Sequence, residues 1–172
     1  MNALALAVGI GALTSALDRG DLDEVARKAT LAGPVVVEKA LGGRGRSEQL
    51  AGIVAAPNVE DRAELLAALA QLAAGPDRRT AIPAARAART IARELAKHEL
   101  ADDLAPGDLE SWRAQWNVLA LTTDQFVEVR VLSLDVATEL EHVIAAHELG
   151  FDRALLTDPD PAVREVATAL AP

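Results

Sequence analysis

Glu139 and His142 stand three residues apart, the spacing that places a carboxylate and an imidazole on one face of a helix, as di-iron bundles require. Such a site needs a second copy of the pair and two further Glu residues. No second copy occurs, and His142 with His147 is not the i, i+4 pair of a zinc helix. The other reactive patterns are equally incomplete. Gly9-x-Gly11 has no strand before it, no Gly-Lys-Ser/Thr phosphate loop exists, and Gly-x-Ser-x-Gly is absent. Arg19-Gly20-Asp21 reads most simply as a turn between helices. The chain has no cysteine, which removes disulfides, thiolate metal sites, iron–sulfur clusters and thiol nucleophiles together. These residues imply no catalytic set, no metal and no cofactor.

A different chemistry is concentrated near the middle. On a helix from Asp77 to His98, the cations Arg79, Arg86, Arg89, Arg93 and Lys97 fall within an arc of about 80° at 100° per residue, so they form one ridge. Such a ridge suits an acidic segment or another anionic group. A later stretch carries Glu128, Asp135, Glu139 and Glu141, which would instead neutralise the ridge inside the fold. The distribution of charge sharpens the question. Of the net −9, residues 1 to 75 carry −2, residues 76 to 97 carry +4 and residues 98 to 172 carry −11. An overall −9 opposes the phosphate backbone, and 2% aromatic residues cannot build base-stacking platforms, so nucleic acid is not an expected partner. Trp112 and Trp116, half of the four aromatic residues, are i, i+4 neighbours and are expected to anchor a core that must otherwise be Ala, Leu and Val.

The elements that would position these groups are helices. Ala, Leu, Glu and Arg dominate the 172 residues, and all are good helix formers. Val129, Leu132, Val136, Leu140 and Val143 recur at steps of three and four, and Leu65, Leu66, Leu69 and Leu72 make a shorter stripe. Val127 to Val131 alternates like a strand, but the helical stripe continues from Val129 to Val143, about 15 residues, which is long for a strand. Turn residues punctuate the rest at Gly20, Gly33-Pro34, Gly42 to Gly45, Pro57-Asn58, Gly75-Pro76, Pro106-Gly107, Gly150 and Asp158 to Pro161. Ten helices are predicted: 3 to 18, 21 to 32, 34 to 42, 46 to 56, 58 to 74, 77 to 98, 107 to 121, 124 to 146, 150 to 157 and 159 to 171. Ser47, Asn58, Asp77 and Asp108 stand where N-caps belong.

An internal repeat orders these helices. At an offset of 34, Leu121, Thr123, Asp124, Val129, Arg130 and Ala137 fall on Leu155, Thr157, Asp158, Val163, Arg164 and Ala171, so that Asp-x4-Val-Arg occurs twice. The segment from Leu155 to Arg164, followed by Ala167 and Leu170, resembles the intra-repeat turn and second helix of HEAT-like repeats. The resemblance implies a single all-α domain over 1 to 172: an α-solenoid of about four antiparallel helix pairs (34–57, 58–98, 107–146 and 149–172) behind an N-terminal helical cap (1–33). It also implies a structural ladder of Asp124, Arg130, Asp158 and Arg164 along the inner turns, each Asp near an Arg of its own unit or of the next. The 34-residue spacing would suit a tetratricopeptide repeat as well, but that family's Trp, Gly, Tyr and Pro positions are not matched.

In such a solenoid the Arg ridge lies on a second helix and faces the concave surface. The expected function is then a non-enzymatic protein-binding or scaffold module, with a protein partner that presents an acidic segment. The alternative is an enzyme built on HEAT-like repeats, similar to bilin lyases or to alkylpurine DNA glycosylases. A glycosylase would need Trp112 and Trp116 to line a basic cleft. Ala3 to Leu17 is apolar and uncharged, too short for the ~20 residues of a membrane span. It reads as a core helix of a cytoplasmic protein, with export the alternative if residues 1 to 16 act as a signal peptide.

Overall fold

Runs of Ala and Leu broken by Gly and Pro give helices joined by turns, and that is the observed architecture. The structure, a computed structural model, describes residues 3–97 and 104–148 together with Pro161. Among them are eight α-helices and no strand: α1 (Ala3–Asp18), α2 (Leu22–Ala32), α3 (Pro34–Leu41), α4 (Arg46–Ala55), α5 (Leu66–Ala73), α6 (Arg78–Lys97), α7 (Pro106–Leu121) and α8 (Val127–Glu148). The fold is all-α with antiparallel-like packing of successive helices. Val127 to Val131 is the first turn of α8, so the helical stripe prevails over the local alternation. The expected pair 149–172, with Asp158 and Arg164, lies outside the described residues.

Chain breaks follow local chemistry. Asp21 caps α2 by accepting the Glu24 amide at 2.9 Å. Gly33, at φ 77°, ends α2 in a backbone conformation that side chains disfavour, and Pro34 opens α3 in the first turn, where its missing N–H costs nothing. Asp77 accepts the Arg79 amide at 3.0 Å and starts α6 as expected. The other expected caps do not form. α4 starts from Gly45 with Ser47 already inside it, α7 starts from Ala105 with Asp108 in its first turn, and Asn58 donates backward to the Val54 carbonyl at 3.2 Å.

The helix expected over 58 to 74 is also interrupted. Val59 is extended and buried, Asp61 is left-handed at φ 53°, and a 3₁₀ turn over Arg62–Leu65 leads into α5. The leucine stripe begins only at Leu65, so nothing before it has a helical face to bury; sinking Val59 into the core and bonding the Asn58 carbonyl to Thr30 Oγ1 (3.0 Å) is the better use of that stretch.

The helices pack in two rows. α3 turns back onto α4, α5 onto α6 and α7 onto α8, while α4, α6 and α8 touch in series, as do α3, α5 and α7. α1 lies across α2, α3 and α4. Alanine sets the spacing: Ala51, Ala55, Ala81, Ala84, Ala85, Ala88 and Ala92 are fully buried, so neighbouring axes approach closely. At Gly52 α4 and α3 are in tight contact, since a Cβ there would stand 2.8 Å from the Leu41 backbone nitrogen. Trp116 is fully buried and Trp112 nearly so, which makes them the core anchors of the α7–α8 pair.

Candidate functional site

The ridge is built by α6. Its core face is Ala81, Ala84, Ala88, Ile91, Ala92 and Leu95, and the opposite face carries Arg79, Arg86, Thr90, Arg93 and Lys97, all exposed. Pro83 sits within the helix and cannot donate to the Arg79 carbonyl one turn back, leaving that acceptor on the exposed side.

α8 takes up part of the ridge. Arg89 Nε lies 3.0 Å from Asp135 Oδ2, and Arg93 Nε donates to Glu139 Oε1 at 3.3 Å. Arg89 makes a charge contact whose N–H is not aligned for a hydrogen bond. Arg78 pairs with Glu128 at the start of α8. Pairs with the same 46-residue separation, one helical turn apart, mean that α6 and α8 run parallel. The five-cation ridge expected from spacing is therefore corrected to a smaller open set: Arg89 and Arg93 are neutralised from α8, whereas Arg79, Arg86 and Lys97 have no ion pair among the described residues. Each pair is partly exposed, and such pairs contribute roughly 0–1 kcal/mol, so they align the two helices more than they stabilise them.

Two carboxylates bordering the face have lowered pKa values. The Glu128 carboxyl is held below its ordinary value chiefly by its own backbone N–H at the start of α8, which desolvation opposes, and further by Arg78 and then Arg86. The Arg79 amide does the same for Asp77 against the effect of desolvation, helped by Arg46 at 2.8 Å and by the charge of Arg79.

The expected ladder within the α7–α8 unit takes another form. Arg130 Nε donates to the Ala120 carbonyl at 3.1 Å, fastening α8 to the end of α7, and Asp124 accepts from Thr123 Oγ1 at 3.1 Å. The two residues of the ladder do not pair. Arg130 satisfies a carbonyl that the end of α7 leaves without an intrahelical donor, which outweighs an exposed ion pair in the turn. Glu139, half of the di-metal spacing, is occupied by Arg93, and no group of three His, Asp or Glu suited to a metal exists among the described residues.

An apolar feature that was not among the expected site residues lies beside the ridge. Val127, Val131 and Leu134 are 66%, 57% and 55% exposed, at i, i+4 and i+7 on the side of α8 away from the core row of Val129, Leu132 and Val136. Their spacing was available as a second helical stripe, but it overlaps the strand-like alternation and is masked by it. Elsewhere, an open groove of about 740 Å³ along α1, reaching from Ala7 to Arg19 with Glu48 opposite, is remote from these groups. No described helix is long and apolar enough to cross a membrane. Comparison with known protein families, curated proteins and solved structures gives no match.

Proposed function

We propose that this chain is a non-enzymatic protein-binding module, a HEAT-like solenoid whose second helices present a face to an acidic segment of a protein partner. The paired helices and their two rows support the solenoid reading, as does the parallel run of α6 and α8. The single observation that carries the binding role is the exposure of Arg79 and Arg86 on one side of α6 without an ion-pair partner among the described residues, in a protein of net charge −9. In an acidic protein, cations left open beside several available carboxylates form a local attractor for a negatively charged segment.

The experiment is direct. A fluorescein-labelled peptide of Glu and Ser is titrated against the protein by anisotropy, and again against R79E/R86E. Binding is expected to weaken as salt rises, since exposed charges are screened over about 8 Å at physiological ionic strength. It is expected to fall about tenfold or more in the reversed variant, with unchanged far-UV circular dichroism. Equal binding by both proteins would refute the role of these two arginines.

A further inference from the structure

The exposed face of α6 does not end at its own cations. With α6 and α8 parallel at a separation of 46 residues, Arg86 is level with Leu132, and Arg79, next to the Arg78 that pairs with Glu128, lies beside the first turn of α8. The open stripe of Val127, Val131 and Leu134 therefore runs beside these two guanidinium groups. Val131 follows Glu128 by three residues and precedes Asp135 by four, so the stripe borders the row of ion pairs. Arg78 pairs with Glu128 at the start of α8, which holds the two helices together at this end of the face. The stripe is not an edge of the core, because Val129, Leu132 and Val136 fill that role on the opposite side of α8.

Val127 to Leu134 spans about 10 Å along the axis, two turns of helix. Three aliphatic side chains more than half exposed in one line, bordered by the ion-paired Glu128 and Asp135 with Arg79 and Arg86 beyond them on α6, define what fits. An acidic segment of irregular conformation would satisfy the arginines and leave the stripe in water. A helix with apolar residues at i, i+3 or i+4 and i+7 would cover the stripe, and carboxylates on its flank would meet the cations. The apolar part of that contact does not weaken with salt, whereas the charged part does.

We propose that the α6–α8 face docks an acidic amphipathic helix of a protein partner, with its aliphatic side chains on Val127, Val131 and Leu134 and its carboxylates toward Arg79 and Arg86. This inference rests on the reading of the chain as a module that binds acidic segments and adds the conformation and apolar pattern of the partner.

The test uses the full chain and three labelled peptides of about 18 residues, long enough for five turns. One has Leu at helical spacing flanked by Glu, one scrambles the same composition, and one keeps the pattern with Lys in place of Glu. The patterned acidic peptide is expected to bind at least about tenfold more tightly than either control. V131D and R79E/R86E are each expected to reduce that affinity about tenfold or more without altering the far-UV circular dichroism. If the scrambled acidic peptide binds equally well and V131D has no effect, the amphipathic-helix inference is overturned while the acidic-segment reading stands. If no acidic peptide binds, both fall. The absence of native cysteine allows two further checks. An intramolecular disulfide between V131C and V163C would assign the face to the chain's own C-terminal segment. A disulfide-linked V131C dimer, from protein that is also dimeric without the substitution, would assign it to a second copy. Either result overturns the proposed partner.

Discussion

The same substitution, Gly to Ala, is expected to change stability in opposite directions at two helical positions of this chain. In α4, a Cβ on Gly52 would lie 2.8 Å from the Leu41 backbone nitrogen, 3.1 Å from the Ala40 carbonyl carbon and 3.1 Å from Leu41 Cγ. Two of those three atoms are backbone, so rotation of the Leu41 side chain cannot relieve the clash and α3 must move away from α4. Overpacking of this kind costs about 1–3 kcal/mol, against a helix-propensity gain of about 0.5–1 kcal/mol. The net for G52A is a loss centred near about 1 kcal/mol and at most about 2.5 kcal/mol, or a fall in Tm of up to about 10 °C for a chain of this size.

In α1, a Cβ on Gly11 meets nothing within 4 Å. G11A keeps only the propensity gain, and its Tm should rise by about 1–4 °C. Urea unfolding followed by the fluorescence of Trp112 and Trp116 measures both variants at equilibrium, and the slope of each transition reports whether the unfolded states remain comparable. Shifts of the same sign in the two variants would refute the close crossing of α3 and α4, because only that contact separates the two sites. A double variant G52A/L41A distinguishes the cause further: trimming Leu41 is expected not to restore stability.

Other consequences are open to the same measurements. Ser133 is fully buried in α8 and its hydroxyl has no hydrogen-bond partner, so S133A should stabilise by about 1–2 kcal/mol; a loss of stability would mean that the hydroxyl is bonded in solution. Leu13 is fully buried in α1, and L13A should cost about 2–5 kcal/mol; a cost below about 0.5 kcal/mol would show that α1 is not part of the cooperative fold. A double-mutant cycle on Arg93 and Glu139 should give a coupling of about 0.2–1 kcal/mol that shrinks in 1 M salt, where screening acts over about 3 Å. Because the folded-state pKa of Glu128 is depressed from 4.5, its contribution is fully present above that value and is lost as pH falls through the lowered one. E128Q should therefore flatten the decline of stability below about pH 4.5; an identical decline in both proteins would remove Glu128 from that dependence.

Composition and periodicity determined the all-α class of the described residues and, to within about three residues, the ends of every described helix but α5. Those boundaries are local: Gly33-Pro34, Asp77 and Pro106 act on the backbone beside them, and a long stripe such as Val129 to Val143 outweighs a five-residue alternation. Locality also explains the failure at residues 58 to 65. There Val59 leaves the helix to reach a core made by other segments, which no pattern within that stretch announces. The cations of α6 were legible as a ridge, because one helix sets their angles.

Their state was not legible, because it depends on a parallel neighbour 46 residues away that neutralises Arg89 and Arg93 and leaves Arg79 and Arg86 open. Tertiary packing likewise decided which of the two apolar stripes of α8 faces the core. A helix with valine and leucine on both sides can bury only the side its partners cover, so Val129 and Val136 became core and Val131 and Leu134 became surface.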